Sequence, residues 1–281
     1  MKKSFLANAA YFLAVLVFLI FTLGPILWAL NIALTPEGEI TKASSQIIAS
    51  HITFDNFKQL MDPTTSAYRL IIPAIINSVK MSAISVLLTV PISLMTAYAF
   101  YRYNFKGKKP VFLLITLTMV IPVFTTIIPI YAMFAQNDLL DQLFWIAIIY
   151  VSAFIPLNTW LIYNHFKDLP YEVIEAAMMD GAGEWRVFFE TILPLSWPIL
   201  ITSLLVVFLT AWSQFQIPMI LTTSQANKVI TLVIQDFKGR YTASYGLIAA
   251  SGLLAILPPA VLATTFRKFL ISGLTGGATK G

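Results

Sequence analysis

The side chains of this protein that could do chemistry gather in two short stretches. Between Asp168 and Glu190 stand six of its thirteen acids (Asp168, Glu172, Glu175, Asp180, Glu184 and Glu190), among Gly181, Gly183 and Pro194. A second group, Thr210, Trp212, Ser213, Gln214 and Gln216, lines up hydroxyl, amide and indole functions. Clustered carboxylates offer charge-assisted hydrogen bonds to a basic protein surface. Hydroxyls and amides beside an aromatic ring offer the stacking and hydrogen bonds with which concave sites hold polar small molecules. The same groups also serve as packing contacts between membrane helices, and the sequence leaves both roles open.

Enzyme chemistry finds no parts. The two histidines, His51 and His165, stand far apart, no H-E-x-x-H occurs, and no carboxylate pair falls inside an apolar run. Zero cysteines exclude disulfides, thiolate metal sites and a cysteine nucleophile. The glycine-rich end GLTGGATKG fails the G-x-x-x-x-G-K-[ST] spacing of a phosphate loop and follows no strand pattern. Any work driven by ATP must therefore be done by a separate subunit.

The elements that position these groups are set by hydropathy. Hydrophobic residues make up 58% of the chain and charged ones 11%, with a mean hydropathy of +0.80. Six stretches (Ser4–Pro36, Met81–Tyr101, Pro110–Asn137, Gln142–Phe166, Thr191–Asn227 and Tyr241–Phe266) hold no Asp, Glu, Lys or Arg. Because about 20 apolar residues cross the hydrocarbon layer as a helix, these imply spans near 9–34, 75–100, 110–135, 143–165, 195–221 and 245–270. The first follows Lys2 and Lys3 but outruns a signal-peptide core, and no A-x-A site closes it, so it reads as a retained span. The expected fold class is all-α, a polytopic membrane protein with six transmembrane helices in one domain over 1–281.

Cations orient the bundle. With the amino terminus inside, Lys2, Lys3, Arg102, Lys106, Lys108, Lys109, Lys167, Arg186, Arg267, Lys268 and Lys280 are cytoplasmic, against Lys42, Lys58, Arg69, Lys80, Lys228, Lys238 and Arg240 outside. Both termini are then cytoplasmic. The net charge of +5 follows the membrane edge, where anionic headgroups attract cations, and no nucleic-acid surface is implied. Lys80 and His165 sit at span ends and read as interfacial anchors. A small helix is expected around Phe54–Met61, and the polar outer loop Thr222–Ser244 is able to reach an external partner. Prolines recur in or beside every span, as in helices that bend.

The acidic stretch forms an inner loop over 168–194. Asp168 and Pro170 open a helix whose Glu172 and Glu175 lie near its positive end, and Gly181 supplies the left-handed residue that closes it. Tyr171, Ile174 and Met178 share one stripe, with Ala176 and Ala177 small enough for a close partner. A second helical piece, Trp185 to Leu193, returns Phe188, Phe189 and Ile192 toward the bilayer. A lipid-facing surface helix would carry cations, so the acids argue for a protein partner with basic residues.

Glu175-Ala176-Ala177, three residues, Gly181, nine residues and Thr191-Ile192-Leu193-Pro194 together resemble the cytoplasmic signature of permease subunits in bacterial ABC importers of the carbohydrate-uptake, maltose-permease type. Thr191 departs from the isoleucine usual there, and Ile192 stands beside it. The tail Gly273-Leu274-Thr275-Gly276-Gly277-Ala278-Thr279-Lys280-Gly281 resembles that of the maltose-type subunit without the large periplasmic insertion.

The resemblance implies an importer permease for a di- or oligosaccharide in the bacterial cytoplasmic membrane. It implies a second permease subunit, two ATP-hydrolysing subunits that hold ATP and Mg, and an extracellular or periplasmic sugar-binding protein, with no cofactor in this chain. It implies that Glu175, Ala176, Ala177, Gly181, Leu193 and Pro194 belong to a coupling helix and loop seated on an ATPase subunit. By the same resemblance Gly273, Leu274, Thr275, Gly276, Gly277 and Lys280, in a tail over 272–281, reach the ATPase subunits, and the outer loop approaches the binding protein. Thr210, Ser213, Gln214 and Gln216 are the candidate substrate path. The alternative is a stand-alone secondary carrier or channel for a small polar solute.

Overall fold

The computed structural model describes residues 5–40, 51–238 and 244–269. In chain order its main helices are α1 (Phe5–Ala33), α2 (Asp55–Met61), α3 (Ser66–Arg102), α4 (Lys108–Leu117), α5 (Val123–Gln136), α6 (Leu143–Lys167), α7 (Tyr171–Met179), α8 (Trp197–Trp212), α9 (Gln216–Leu221), α10 (Ile230–Asp236) and α11 (Tyr245–Thr265). No strand occurs among the described residues. Four helices (Ala7–Ala33, α3, α6 and α11) are long and apolar enough to cross a membrane, or up to six if each of two bent pairs is one span.

The first bend has a local cause. Proline blocks the helical conformation of the residue before it, and at the junction of α4 and α5 Ile121 is extended (ψ 117°) before Pro122. The two helical arms there meet at 92°. The second bend, 73°, separates Glu184–Leu195 from α8 at Ser196. By contrast Pro25, Pro129, Pro156, Pro258 and Pro259 lie inside helices that continue past them.

The chain divides into two compact units, Met1–Pro73 with Ile230–Leu257, and Ala74–Val229 with Pro258–Gly281. In the first, buried Asn56 of α2 donates to the carbonyls of Ala33 (2.9 Å) and Thr35 (3.1 Å), closing the end of α1. Glu37 accepts from the backbone N–H groups of Tyr245 (2.8 Å) and Gly246 (2.9 Å), so a carboxylate occupies the positive end of α11. Gly246 is required by this arrangement: a Cβ there would stand 2.4 Å from Nδ2 of Asn56.

In the second unit, α3 presents Ser78, Ser82, Ser85, Thr89 and Ser93 as a buried row of small residues, the kind of face that lets membrane helices approach closely. Ser93 donates to the carbonyl of Ile155 in α6 (3.3 Å), and Ser203 of α8 donates to Oδ1 of Asn158 in α6 (2.6 Å). Beneath α7 lies an apolar cluster of Leu94, Ala97 and Tyr98 from α3, Ile162 and Phe166 from α6, Ile174, and Val187, Phe188 and Ile192 from the returning segment.

Candidate functional site

The acidic stretch folds around α7. Pro170 precedes its first turn without a side-chain cap, so the helix starts at Tyr171 rather than at Asp168. Its last turn closes through paired bonds from Gly181 N–H to the carbonyl of Met178 (3.0 Å) and from Ala182 N–H to that of Ala177 (3.1 Å). This is the Schellman arrangement. Gly181 has φ +82°, and open space surrounds the place where a Cβ would stand.

Ile174 is the buried anchor of α7, at 0% exposure, while Glu172, Glu175 and Ala176 face outward and Ala177 is half-buried. The expected stripe of Tyr171, Ile174 and Met178 is therefore incomplete. Tyr171 and Met178 stay partly exposed because both turn to one guanidinium. Arg102, the last residue of α3, donates to the hydroxyl of Tyr171 (2.9 Å) and to Sδ of Met178 (3.0 Å). It also donates to Glu184, through Nη2 at 2.7 Å and Nε at 3.2 Å to each carboxylate oxygen. Tyr98 completes the group, its hydroxyl donating to Oε2 of Glu184 at 3.2 Å.

Not all the acids are thus available to a partner. Glu184 is held by Arg102, and Glu190 accepts from Nε of Arg186 at 2.7 Å. After Gly183 the chain makes a short α turn over Glu184–Arg186 and then a π-helical segment, Val187–Ile192. Such segments occur often at functional sites. Phe188 and Ile192 are buried, but Phe189, one step round the helix, is 52% exposed and stacks on Trp185. Leu193 packs partly buried on the apolar cluster, and Pro194 is exposed.

The polar group at 210–216 occupies the break between α8 and α9. Thr210 is half-buried and its hydroxyl donates to its own helix at Val206 (2.7 Å). Ser213 and Gln216 are exposed, Gln214 half-buried. None of the four lines the nearby cavity of about 200 Å³, whose wall includes Thr118, Ile121, Thr126, Ile130, Ser152 and Ile217. The candidate tail residues Gly273 to Lys280 lie outside the described residues.

Sequence reasoning did not single out Asp141. At φ +62° this residue directs its carboxylate at the N–H groups of Thr223 and Ser224, both 2.8 Å away, and accepts also from the two hydroxyls. Partial burial pushes its pKa up, but these hydrogen bonds outweigh burial and hold it below the ordinary aspartate value. Asn227 donates to the Asp141 carbonyl (2.8 Å), and buried Asn77 of α3 donates to the carbonyls of Ala226 (2.8 Å) and Lys228 (3.1 Å). The start of the Thr222–Ser244 loop is thereby fixed. Among the described residues no cluster of His, Cys, Asp or Glu could hold a metal ion.

Residues 89–275 match the family described as binding-protein-dependent transport system inner membrane component. The chain belongs to this family. It is thus a multi-pass inner-membrane permease component, not an enzyme, and a stand-alone carrier or channel is not favoured. It is 30% identical over 261 residues to the galactooligosaccharides transport system permease protein GanQ of Bacillus subtilis, covering 92% of this chain and 90% of that one. It is 29% identical over 297 residues to the trehalose/maltose transport system permease protein MalG of Thermococcus litoralis, covering 100% of both. The fold matches a chain of a crystallised bacterial ABC transporter involved in alginate import, with a TM-score of 0.80 and 17% identity over 95% of this chain and 98% of that one.

Proposed function

We propose that this permease forms half of the translocation path for a di- or oligosaccharide in an ATP-driven importer, and that α7 is the helix through which a separate ATPase drives it. One observation carries the reading: α7 is anchored through Ile174 while Glu172, Glu175 and Ala176 are left open to a partner. The names of the relatives, galactooligosaccharide, trehalose/maltose and maltodextrin permeases, support the substrate class.

In this assembly a second permease supplies the other half of the path, two ATP-hydrolysing subunits hold ATP and Mg, and a sugar-binding protein docks on the outer face. Both termini are cytoplasmic, as the cation distribution directs. Glu175 pairs with a basic residue of the ATPase, Ala176 and Ala177 allow close approach, and Gly181 with Leu193 and Pro194 sets the loop that seats the helix. The tail residues Gly273, Leu274, Thr275, Gly276, Gly277 and Lys280 reach the ATPase pair. Thr210, Ser213, Gln214 and Gln216, at a break in the helix, face the path.

The test is sugar-stimulated ATP hydrolysis by the reconstituted complex. Glu175→Lys reverses the charge at an exposed position, so the chain should insert and assemble while stimulation is lost. Full stimulation in that variant would remove α7 from the coupling role.

A further inference from the structure

The acid that the ATPase cannot use, Glu184, points to a second part of the device. Arg102 reaches from the end of α3 to both ends of α7 at once, Tyr171 in its first turn and Met178 in its last, and to Glu184 beyond the turn. Its side chain is only 12% exposed, that of Glu184 39%. Below it the ring of Tyr98 lies 4.8 Å from that of Phe188, so the polar contacts rest on an apolar floor. An exposed ion pair between two long side chains would contribute little. Here a planar fork with several fixed donors is met by three partners, a geometry that only arginine satisfies.

We propose that Arg102 is a positioning residue that locks α7 to the end of α3, so that displacement of α7 by a partner moves α3 with it. The proposal rests on the reading of α7 as the coupling helix and adds the route by which its motion enters the membrane. The ATPase pushes a helix whose own apolar contacts are few, the buried Ile174 and the half-buried Ala177. Without the guanidinium, α7 could tilt on that narrow apolar footing and the push would be spent locally. With it, α7, the turn at 181–184 and α3 respond as one body. The residue acts through its neighbours and touches neither sugar nor nucleotide.

Because the chain has no cysteine, spin labels can be placed cleanly at Tyr103→Cys and Met179→Cys, both exposed positions. The purified permease should give a narrow inter-label distance distribution, and Arg102→Gln should broaden it. In the reconstituted complex Arg102→Gln should lower sugar transported per ATP hydrolysed about tenfold, the scale of losing a hydrogen-bonded charge. Arg102→Lys should fail similarly, since a point charge cannot bridge three partners. Glu184→Gln, which keeps one acceptor oxygen, should fall between. An unbroadened distance in Arg102→Gln, or an unchanged transport-to-ATP ratio, overturns the proposal. Cross-linking from Met179→Cys to the ATPase in the otherwise unsubstituted complex separates the levels: no cross-link overturns the reading of α7 itself, and this proposal with it. A cross-link retained in Arg102→Gln together with lost coupling supports the lock.

Discussion

At the scale of single residues, Gly181 shows how one backbone angle shapes the site. Its φ of +82° belongs to the left-handed region, and a Cβ would meet nothing within 4 Å, so the cost of a side chain is conformational and not steric. Replacement by alanine should destabilise the end of α7 by about 1 kcal/mol. Asparagine, which tolerates this region, should cost less, and a β-branched valine more. Hydrogen exchange at the amides of Gly181 and Ala182, whose bonds to Met178 and Ala177 close the helix, should rise in the order Gly, Asn, Ala, Val. Equal exchange in all four would mean that the turn is imposed by the surrounding chain. This position was legible in the sequence because glycine after a helical run is itself the signal. Arg102 was not: its type and place marked only which side of the membrane the loop occupies, and its three partners lie 69 to 82 residues away.

At the scale of elements, the segment after α9 is held by groups from two other parts of its unit, Asp141 between α5 and α6 and Asn77 on α3. Asp141→Ala removes four acceptor contacts and should loosen residues 222–228 by on the order of 1–3 kcal/mol of local opening free energy. Protection factors at Thr223 and Ser224 would record it. The pH dependence follows from the sign of the shift. The folded carboxyl titrates below its ordinary value, so its contribution is complete above the unfolded aspartate range near ~3.9 and is lost as pH falls through the lower folded value. Labels placed across this contact should therefore keep their distance from neutral pH down to about 4 and separate only in stronger acid. Separation already near pH 6 would assign the tie to another group. The apolar runs made the helices legible in advance, but not their breaks. Proline occurs in or near every span, yet the chain turns by 92° at Pro122 while helices run on through Pro25, Pro129 and Pro156. Whether a proline breaks a helix depends on whether neighbours satisfy the freed carbonyl, which is tertiary information.

At the scale of the whole molecule, the charge-free runs and the missing phosphate loop set what the chain can do alone. A secondary carrier moves solute by protonating or charging groups inside the bilayer, despite a cost of order 2.5–3.5 kcal/mol for each. The stretches Met81–Tyr101, Gln142–Phe166 and Tyr241–Phe266 contain no Asp, Glu, Lys or Arg with which to do so. The most apolar window of α1 buries none of its residues and that of α11 only 17%, leaving wide apolar faces that this chain does not itself cover. Proteoliposomes holding this chain alone should therefore show neither ATP hydrolysis nor saturable uptake of maltose or longer glucose oligomers. Adding only the ATPase subunits should restore no uptake if, as proposed, a second permease supplies the other half of the path. Adding the second permease and the binding protein should restore uptake that stops when ATP is withdrawn. Saturable uptake by the chain alone would place the driving force in the chain itself and return the reading to a stand-alone carrier or channel.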